Sequence, residues 1–309
     1  MMTTEKKTGS FTTQDGAELY YEIRQPSSKV GDPAEPVIFV YGIACLLNHF
    51  HHQIDYFANQ RPVYAYDLRG HEKSSAGQRE NLTVRGLAHD LRSLMDHWGL
   101  EKAHLVGHSF GVPILLAVYD EIPDRISSLT FINGFAQNPI KGMFGLDVVE
   151  PFFYWAKDNY YKNTVIWKFL WKAAIDNPVS IFASGLAGGF NLRVTQLKDI
   201  EVYARGVSHM SLDNFIPLFE DMMGFDGRGI ASRIEVPTLI ITGEKDFVTP
   251  QKFQEDLHTA VRGSELVRIP YGSHCCQLDF PDYVNLRLEK HLLGLRGETD
   301  KGRLFETQD

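Results

Sequence analysis

The pattern of hydrophobic and polar positions along this chain contains two kinds of segment, one typical of strands and one typical of helices, and the two kinds alternate. Short apolar or β-branched runs occur at residues 17–24, 37–41, 63–66, 103–107, 128–132, 238–242 and 266–269. Segments with the 3.6-residue period of an amphipathic helix lie between most of these runs, at 81–98, 112–122, 250–262 and 281–292. This alternation predicts βαβ units, and therefore a largely parallel sheet with helices on both faces.

The hydrophobic pattern of each strand-like run indicates whether it lies in the centre or at the edge of the predicted sheet. Residues 37–40 and 239–241 are apolar on both faces, which is typical of parallel strands that are covered by helices on each side. Residues 11–24 instead predict a hairpin around Asp15-Gly16. We expect this hairpin to form the antiparallel edge of the sheet.

The alternation of strand and helix stops between residues 134 and 234. This stretch has no strand-like run, but it has several helical patterns that are rich in aromatic residues. We therefore predict a core built from residues 1–133 and 235–309. Residues 134–234 are predicted to be an insertion that forms a helical cap over the carboxyl-terminal edge of the sheet.

A Gly-x-Ser-x-Gly motif with Ser109 at its centre occupies residues 107–111, directly after a strand-like run. The two glycines allow the close backbone approach and the strained turn that expose a nucleophile between a strand and a helix. A chance match is expected on the order of 0.1 times in a chain of this composition, so residues further along must support the motif. With that support, Ser109 is the predicted nucleophile.

A serine nucleophile needs a base to accept its proton and a carboxylate to orient that base. Of the 12 histidines, His274 is the best candidate, because it follows the last strand-like run in a Gly-Ser-His loop. Asp246 follows the run 238–242 and is the favoured acid, with Glu244 as its competitor. Nucleophile, acid and base then follow one another in the chain order that accompanies this motif.

Attack on a carbonyl group also requires two N–H donors for the oxyanion. The amide of Phe110, directly after the predicted nucleophile, is one candidate donor. The second is assigned to Ile43 in the loop after the run 37–41, where Gly42 permits close backbone approach. Ala44, one residue further on, is the alternative.

Four segments together resemble the α/β-hydrolase superfamily, in its cap-bearing serine esterase and lipase form. They are residues 67–74 (Asp-Leu-Arg-Gly-His-Glu-Lys-Ser), 107–111, 243–246 (Gly-Glu-Lys-Asp) and 272–274 (Gly-Ser-His). The resemblance covers about residues 11–293 and implies an α/β-hydrolase fold: a mostly parallel eight-stranded sheet flanked by helices, with an inserted helical cap. The chain departs from the family at Tyr41, where histidine is common, and at Glu72, where glycine is usual.

The predicted chemistry is acyl transfer by a serine hydrolase that acts on a carboxylic ester with an apolar acyl or alcohol part. A serine in place of aspartate argues against the dehalogenase and epoxide-hydrolase branches of the superfamily that the chain resembles. No metal or organic cofactor is expected. Two alternatives stay open: a hydrolase of C–C bonds in diketone-like ring-fission products, and a small-molecule receptor with slow catalysis.

Residues 151–172 combine nine aromatic residues with four lysines. We expect the aromatic side chains to pack the cap onto the core and to line an apolar acyl pocket. The alternative is a lid that contacts a membrane or lipid surface. The predicted substrate-pocket residues are Gly42, His108, Trp155, Phe190, Met210 and Met222.

Charge and termini narrow the possible partners. The formal net charge is −8 and the isoelectric point is near 5.8, which argues against binding to nucleic acid. The polar amino terminus predicts neither a secretory signal nor a membrane anchor, so we expect a cytoplasmic protein. His49, His51 and His52 lie close together, but no neighbouring residue completes a metal-ligand set, and we interpret them as the start of a helix.

Overall fold

The computed structural model describes residues 4–26, 34–141, 143, 147–175 and 189–301. Within these residues the strands are β1 (Thr4–Thr12), β2 (Glu18–Pro26), β3 (Val37–Val40), β4 (Val63–Tyr66), β5 (Ala103–His108), β6 (Ile126–Ile132), β7 (Thr238–Gly243) and β8 (Glu265–Ile269). They form one sheet in the order β1-β2-β4-β3-β5-β6-β7-β8. The pairs β1–β2 and β2–β4 are antiparallel, and every other pair is parallel. The prediction of a mostly parallel eight-stranded sheet with an antiparallel edge is confirmed.

The helices of the described residues pack on both faces of this sheet and over one edge. They are α1 (His51–Phe57), α2 (Val84–His97), α3 (Gly111–Glu121), α4 (Val149–Lys162), α5 (Thr164–Ile175), α6 (Leu197–His209), α7 (Leu212–Gly224), α8 (Arg228–Ala231), α9 (Lys252–Ala260), α10 (Cys276–Asp279) and α11 (Pro281–Lys301). Helices α4 to α8 lie between β6 and β7, and the described part of residues 134–234 contains no strand. The predicted insertion is helical in its described part, while its exact boundaries stay a prediction.

Two helix ends differ from the sequence prediction for local reasons. Helix α2 begins at Val84 and not at residue 81, because the hydroxyl of Thr83 accepts a hydrogen bond from the Gly86 amide at 2.9 Å and caps the helix. Helix α11 continues to Lys301, beyond the predicted end at residue 292. Polar residues without an apolar stripe gave no signal for this last part of the helix.

Helix α3, which follows the Gly-x-Ser-x-Gly motif, lies in the middle of the core. Residues 111–119 of this helix are all buried, and the helix packs on β5, β6 and α2. Strands β3, β5 and β7 are buried along their whole length. The turn between β5 and α3 is therefore held between rigid, fully buried elements.

Arg69 joins three separate segments beneath the loop that follows β4. Its guanidinium donates two hydrogen bonds to the Asp90 carboxylate on α2, at 2.8 and 2.6 Å, and further bonds to Asp15 in the β1–β2 turn. The guanidinium holds the pKa of Asp15 well below its usual range. Since both Arg69 and Asp90 are buried, each depends on the other for its charge to be compensated.

We expect Arg69→Ala to lower the free energy of unfolding by about 3–5 kcal/mol, because it leaves the Asp90 carboxylate buried without its partner. Urea denaturation measures this loss. The matched control is Arg85→Ala, which removes an ion pair with Asp120 from a side chain that is 60% exposed and should cost less than about 1 kcal/mol. Equal losses in the two variants would contradict the assignment.

Candidate active site

Ser109 occupies the sharp turn between β5 and α3. Its backbone φ is +53°, in the left-handed region that costs a non-glycine residue free energy. A Cβ atom at Gly111 would lie 2.2 Å from the Val40 carbonyl oxygen, and one at Gly107 would lie 3.0 Å from the carbonyl carbon of Gly111. Both glycines of the motif are thus needed for the backbone to pass, and only the serine side chain projects from the turn.

The three side chains for which the sequence predicts catalytic roles lie in contact. Nε2 of His274 lies 3.0 Å from Oγ of Ser109, and Nδ1 lies 2.9 Å from Oδ2 of Asp246. They follow β5, β7 and β8, whose carboxyl ends meet at one edge of the sheet. All three residues are buried, so the contacts are shielded from solvent. The contact is observed, and the catalytic roles stay a prediction.

The carboxylate of Asp246 is held by donors from its own loop. The amides of Val248 and Thr249 donate to Oδ1 at 2.9 and 2.8 Å, and the Thr249 hydroxyl donates to Oδ2 at 2.7 Å. Glu244, the competing acid, is exposed and lies beside Lys245 at the surface. Of the two acids, Asp246 is the one that contacts the imidazole of His274.

Asn133, at the end of β6, holds the loop that carries the histidine. Its Nδ2 donates to the carbonyl oxygens of Ser273 at 2.7 Å and His274 at 2.6 Å, and its Oδ1 accepts from the Gly243 amide at 2.8 Å. Its φ of +47° suits asparagine better than most other residues. The sequence showed a polar residue at this strand end, but nothing in the pattern indicated which loop it would hold.

The two predicted oxyanion donors lie in turns beside Ser109. The Ala44 amide, the alternative donor, is occupied, because it donates to Nε2 of His71 at 3.1 Å. His71 can accept there because its Nδ1–H donates to the Arg69 carbonyl oxygen at 3.0 Å, and burial lowers the pKa of His71 to about 4, which keeps the ring neutral. Within the described residues, no acceptor is recorded for the amides of Ile43 and Phe110.

Tyr41 replaces the family's common histidine and ties this loop to the neighbouring one. Its buried hydroxyl donates to Oδ1 of Asp67 at 3.1 Å and accepts from the Leu68 amide at 2.8 Å. The next residue, Gly42, approaches the serine so closely that a Cβ atom there would lie 3.0 Å from Cβ of Ser109. The phenol therefore fixes the backbone that faces the predicted nucleophile.

Glu72, the second departure from the family pattern, reaches the cap. It adopts a φ of +38°, a conformation that glycine would take without strain. Its carboxylate lies 2.9 Å from Nδ1 of His209 on α6. The glutamate thus adds a polar contact between the loop after β4 and the inserted helices.

The six predicted pocket residues fall into two groups. Gly42 adjoins Ser109, and the buried His108 donates from Nε2 to the His274 carbonyl oxygen at 2.9 Å. The other four lie in or beneath the cap: Phe190, Met210 and Met222 are buried, and Trp155 is 56% exposed on α4. Their role in substrate binding stays a prediction.

An apolar cavity of about 370 Å³ lies among α4, α5 and α7. Aromatic residues supply much of its wall, including Phe153, Trp167, Trp171, Phe215 and Phe219. None of the six predicted pocket residues, and none of the three residues in contact around His274, is part of its lining.

The aromatic residues of 151–172 differ in exposure, and Phe152 both lines the cavity and is exposed at the surface. Phe153 and Tyr160 are buried, whereas Phe152, Trp155 and Phe169 are exposed, the last by 72%. No helix in the described part of the chain has the length and apolar character that crossing a membrane would need. The expected packing role accounts for the buried group, and contact of the exposed group with lipid stays a prediction.

Comparisons with known proteins support the fold described above. The sequence profile of a family described as alpha/beta hydrolase fold matches residues 35–281. The chain is 24% identical over 287 residues to a protein named carbamate hydrolase RutD of Azorhizobium caulinodans, an alignment that covers 92% of this chain and 97% of the relative.

Solved structures are similar over nearly the whole chain. An enol-lactonase from Burkholderia xenovorans LB400 has a TM-score of 0.72 at 18% identity, with 92% of this chain and 100% of that chain covered. A thermophilic esterase from Thermogutta terrifontis has a TM-score of 0.72 at 19% identity, with 94% and 99% covered. At these identities the likeness is one of fold. Together with the profile match, it identifies the chain as a member of the alpha/beta hydrolase fold family.

Proposed function

We propose that this protein is a serine hydrolase that cleaves a carboxylic ester with an apolar acyl or alcohol part. The observation that carries the proposal is the pair of contacts on His274, 3.0 Å to Oγ of Ser109 and 2.9 Å to Asp246. A serine in hydrogen-bond contact with an imidazole, which is itself oriented by a buried carboxylate, is the arrangement that activates a hydroxyl for attack on a carbonyl carbon.

The first half of the proposed reaction forms an acyl-enzyme. With Nδ1–H of His274 donating to Asp246, the lone pair of Nε2 faces the hydroxyl of Ser109 and accepts its proton as Oγ attacks. The negative charge on the carbonyl oxygen is stabilised by the amides of Ile43 and Phe110. Collapse of the tetrahedral intermediate breaks the ester bond, and the imidazolium returns its proton to the leaving alcohol.

The second half restores the enzyme. A water molecule attacks the acyl carbon while Nε2 of His274 accepts a proton from the water. The second tetrahedral intermediate collapses, the carboxylic acid leaves, and the proton passes back to Oγ of Ser109. Throughout both halves, the ionised Asp246 stabilises the imidazolium without taking up a proton itself.

The preference for an apolar substrate rests on the cap. Its aromatic cavity offers space for a hydrocarbon group that would gain roughly 0.8 kcal/mol for each methylene removed from water. Similar proteins carry the names carbamate hydrolase, enol-lactonase and esterase, so a substrate panel should include all three classes together with a diketone.

Ser109→Ala is expected to reduce turnover of p-nitrophenyl esters by at least about 10⁴-fold and to abolish labelling by a fluorophosphonate, because both reactions need Oγ. The control is Ser232→Ala, an exposed serine directly after α8, which should keep both activities. Circular dichroism checks that each variant is folded. Wild-type protein that binds small molecules but resists fluorophosphonate would favour a receptor, and turnover of the diketone alone would favour the C–C hydrolase.

Asp246→Asn should lower kcat by about 10⁴-fold with little change in fold. The neutral amide would favour the wrong tautomer of His274, and it would not stabilise the imidazolium that forms during the reaction. Glu244→Gln provides the matched control, because that carboxylate is exposed and the same change there should leave kcat within a factor of two. Steady-state kinetics with one ester measures both variants. A large loss in the Glu244 variant would transfer the role to that residue.

Ala156→Trp fills the cap cavity and should lower kcat/KM for a long-chain ester by roughly 30-fold, the cost of leaving two or three methylenes in water. The acetate ester, too short to use the cavity, should change by less than twofold. Asp158→Trp adds the same side chain at an exposed position of α4 and should affect neither ester. Equal losses for long and short esters in the Ala156 variant would show that the cavity does not receive the acyl chain.

A further inference from the structure

A second cluster of functional side chains joins the core to the cap. His51 and His52 are the first residues of α1 in the core, and Asp199 lies in the first turn of α6 in the cap. Nε2 of His51 lies 3.3 Å from Oδ1 of Asp199, and Nε2 of His52 lies 3.0 Å from Oδ2. These ligand atoms all lie within 4.8 Å of one another. Fold contacts, not sequence neighbours, supply the carboxylate that the histidine pair lacked.

The hydrogen bond on the far side of His51 fixes the direction of its lone pair. Its Nδ1 lies 2.7 Å from the Asn48 carbonyl oxygen, so Nδ1 carries the hydrogen and donates it. In the neutral ring, Nε2 is then an acceptor, and it faces Oδ1 of Asp199, another acceptor. A ligating histidine in proteins typically has this arrangement, with one nitrogen donating to a backbone carbonyl and the other bound to metal.

Among the described residues, one of the two carboxylate oxygens, Oδ1 of Asp199, lacks a donor, whereas Oδ2 lies 3.0 Å from Nε2 of His52. The side chain of Asp199 is 1% exposed, and its Oδ1 receives no hydrogen bond within the described residues. A buried carboxylate oxygen without a donor is costly. The two imidazole rings lie 3.8 Å apart, so both Nε2 atoms reach the same carboxylate.

We propose that His51, His52 and Asp199 bind a divalent transition-metal ion, zinc by preference, which fastens α6 of the cap to α1 of the core. Two imidazole nitrogens and one carboxylate oxygen form a ligand set that zinc accepts, whereas magnesium and calcium prefer oxygen ligands. With bonds of about 2.0–2.1 Å, the ligands of a tetrahedral zinc lie roughly 3.3 Å apart. The distances of 3.3 Å from His51 Nε2 to Oδ1 and 3.0 Å from His52 Nε2 to Oδ2 bring both imidazole nitrogens about that far from the carboxylate.

The site is separate from the proposed ester chemistry. None of its three ligands is among the residues that contact Ser109 or His274, and the fourth position of a tetrahedral ion would be left for water. A bound ion would link His52 and Asp199, which are 147 residues apart in the chain. Zinc therefore acts here as a structural ion, and its binding is measured without reference to activity.

The test is titration of the purified full-length protein with zinc after treatment with a chelator and its removal. We expect one zinc ion per chain with a dissociation constant at or below about 1 μM, and a rise in melting temperature with zinc but not with magnesium. Cobalt should give the visible absorption of a four-coordinate site. Asp199→Asn keeps the size of the side chain but removes its charge, and should weaken zinc binding at least 100-fold.

The control variant is His209→Asn, which disrupts the other histidine-to-carboxylate contact between the cap and the core, with Glu72, and should leave zinc affinity unchanged. If Asp199→Asn does not fold, His52→Gln replaces it. The proposal would be overturned if the wild-type protein failed to bind zinc at a concentration 100-fold above the expected dissociation constant of about 1 μM. It would also be overturned if the wild type and a folded ligand variant bound zinc with equal affinity. In either case, hydrogen bonds and charge, and not a metal ion, would hold the three side chains together.

Discussion

The backbone turn at Ser109 is the constraint on which the arrangement of the site depends. A serine with φ of +53° costs on the order of 1–3 kcal/mol, and it persists because the elements on both sides are buried and cannot relax. The absence of side chains at Gly107 and Gly111 lets α3 start directly against the Val40 carbonyl oxygen. The turn fixes the position of the serine, and the loops after β3 and β8 approach it with Gly42 and His274. The strain lies in one residue, but the buried elements that prevent it from relaxing belong to the centre of the core.

Much of the fold could be predicted from the chain alone, because its signal is periodic and local. Apolar runs such as 37–40 and 239–241 are strands that are covered on both faces, and each lies within one or two residues of its predicted bounds. The largest differences from the prediction lie at helix ends, where the hydrophobic period does not indicate the boundary. Thr83 starts α2 later than the periodicity indicates, and the polar end of α11 has no apolar stripe to reveal it.

The site was predictable only in part, and the reason is the range of the contacts. Spacing and strand ends indicated Ser109, Asp246 and His274, because each lies just after a strand whose end is recognisable. The residues that hold them in place act over long separations: Asn133 binds a loop about 140 residues away, and Ala44 is occupied by a histidine 27 residues further on. Such pairs leave no periodic trace in a single sequence, since each partner alone is an ordinary polar residue.

The cap is attached to the core both by polar contacts and by apolar packing. Helix α6 meets the core through polar contacts, at Asp199 with the histidines of α1 and at His209 with Glu72, and through the buried Ile200, which packs with Cys275 and Leu278. Helices α4, α5 and α7 pack around an apolar cavity, and α7 also makes polar contacts with the core, where Asn214 donates to the Gly70 carbonyl oxygen and Asp221 accepts from the Val84 amide. Ser109 is only 9% exposed, so a substrate of the proposed reaction has to pass the residues that cover it. Under the proposed function, a change in the aromatic wall would alter which hydrocarbon group fits the cavity without touching the contacts of α6 with the core, so the size of the substrate could change while the attachment of α6 stays the same.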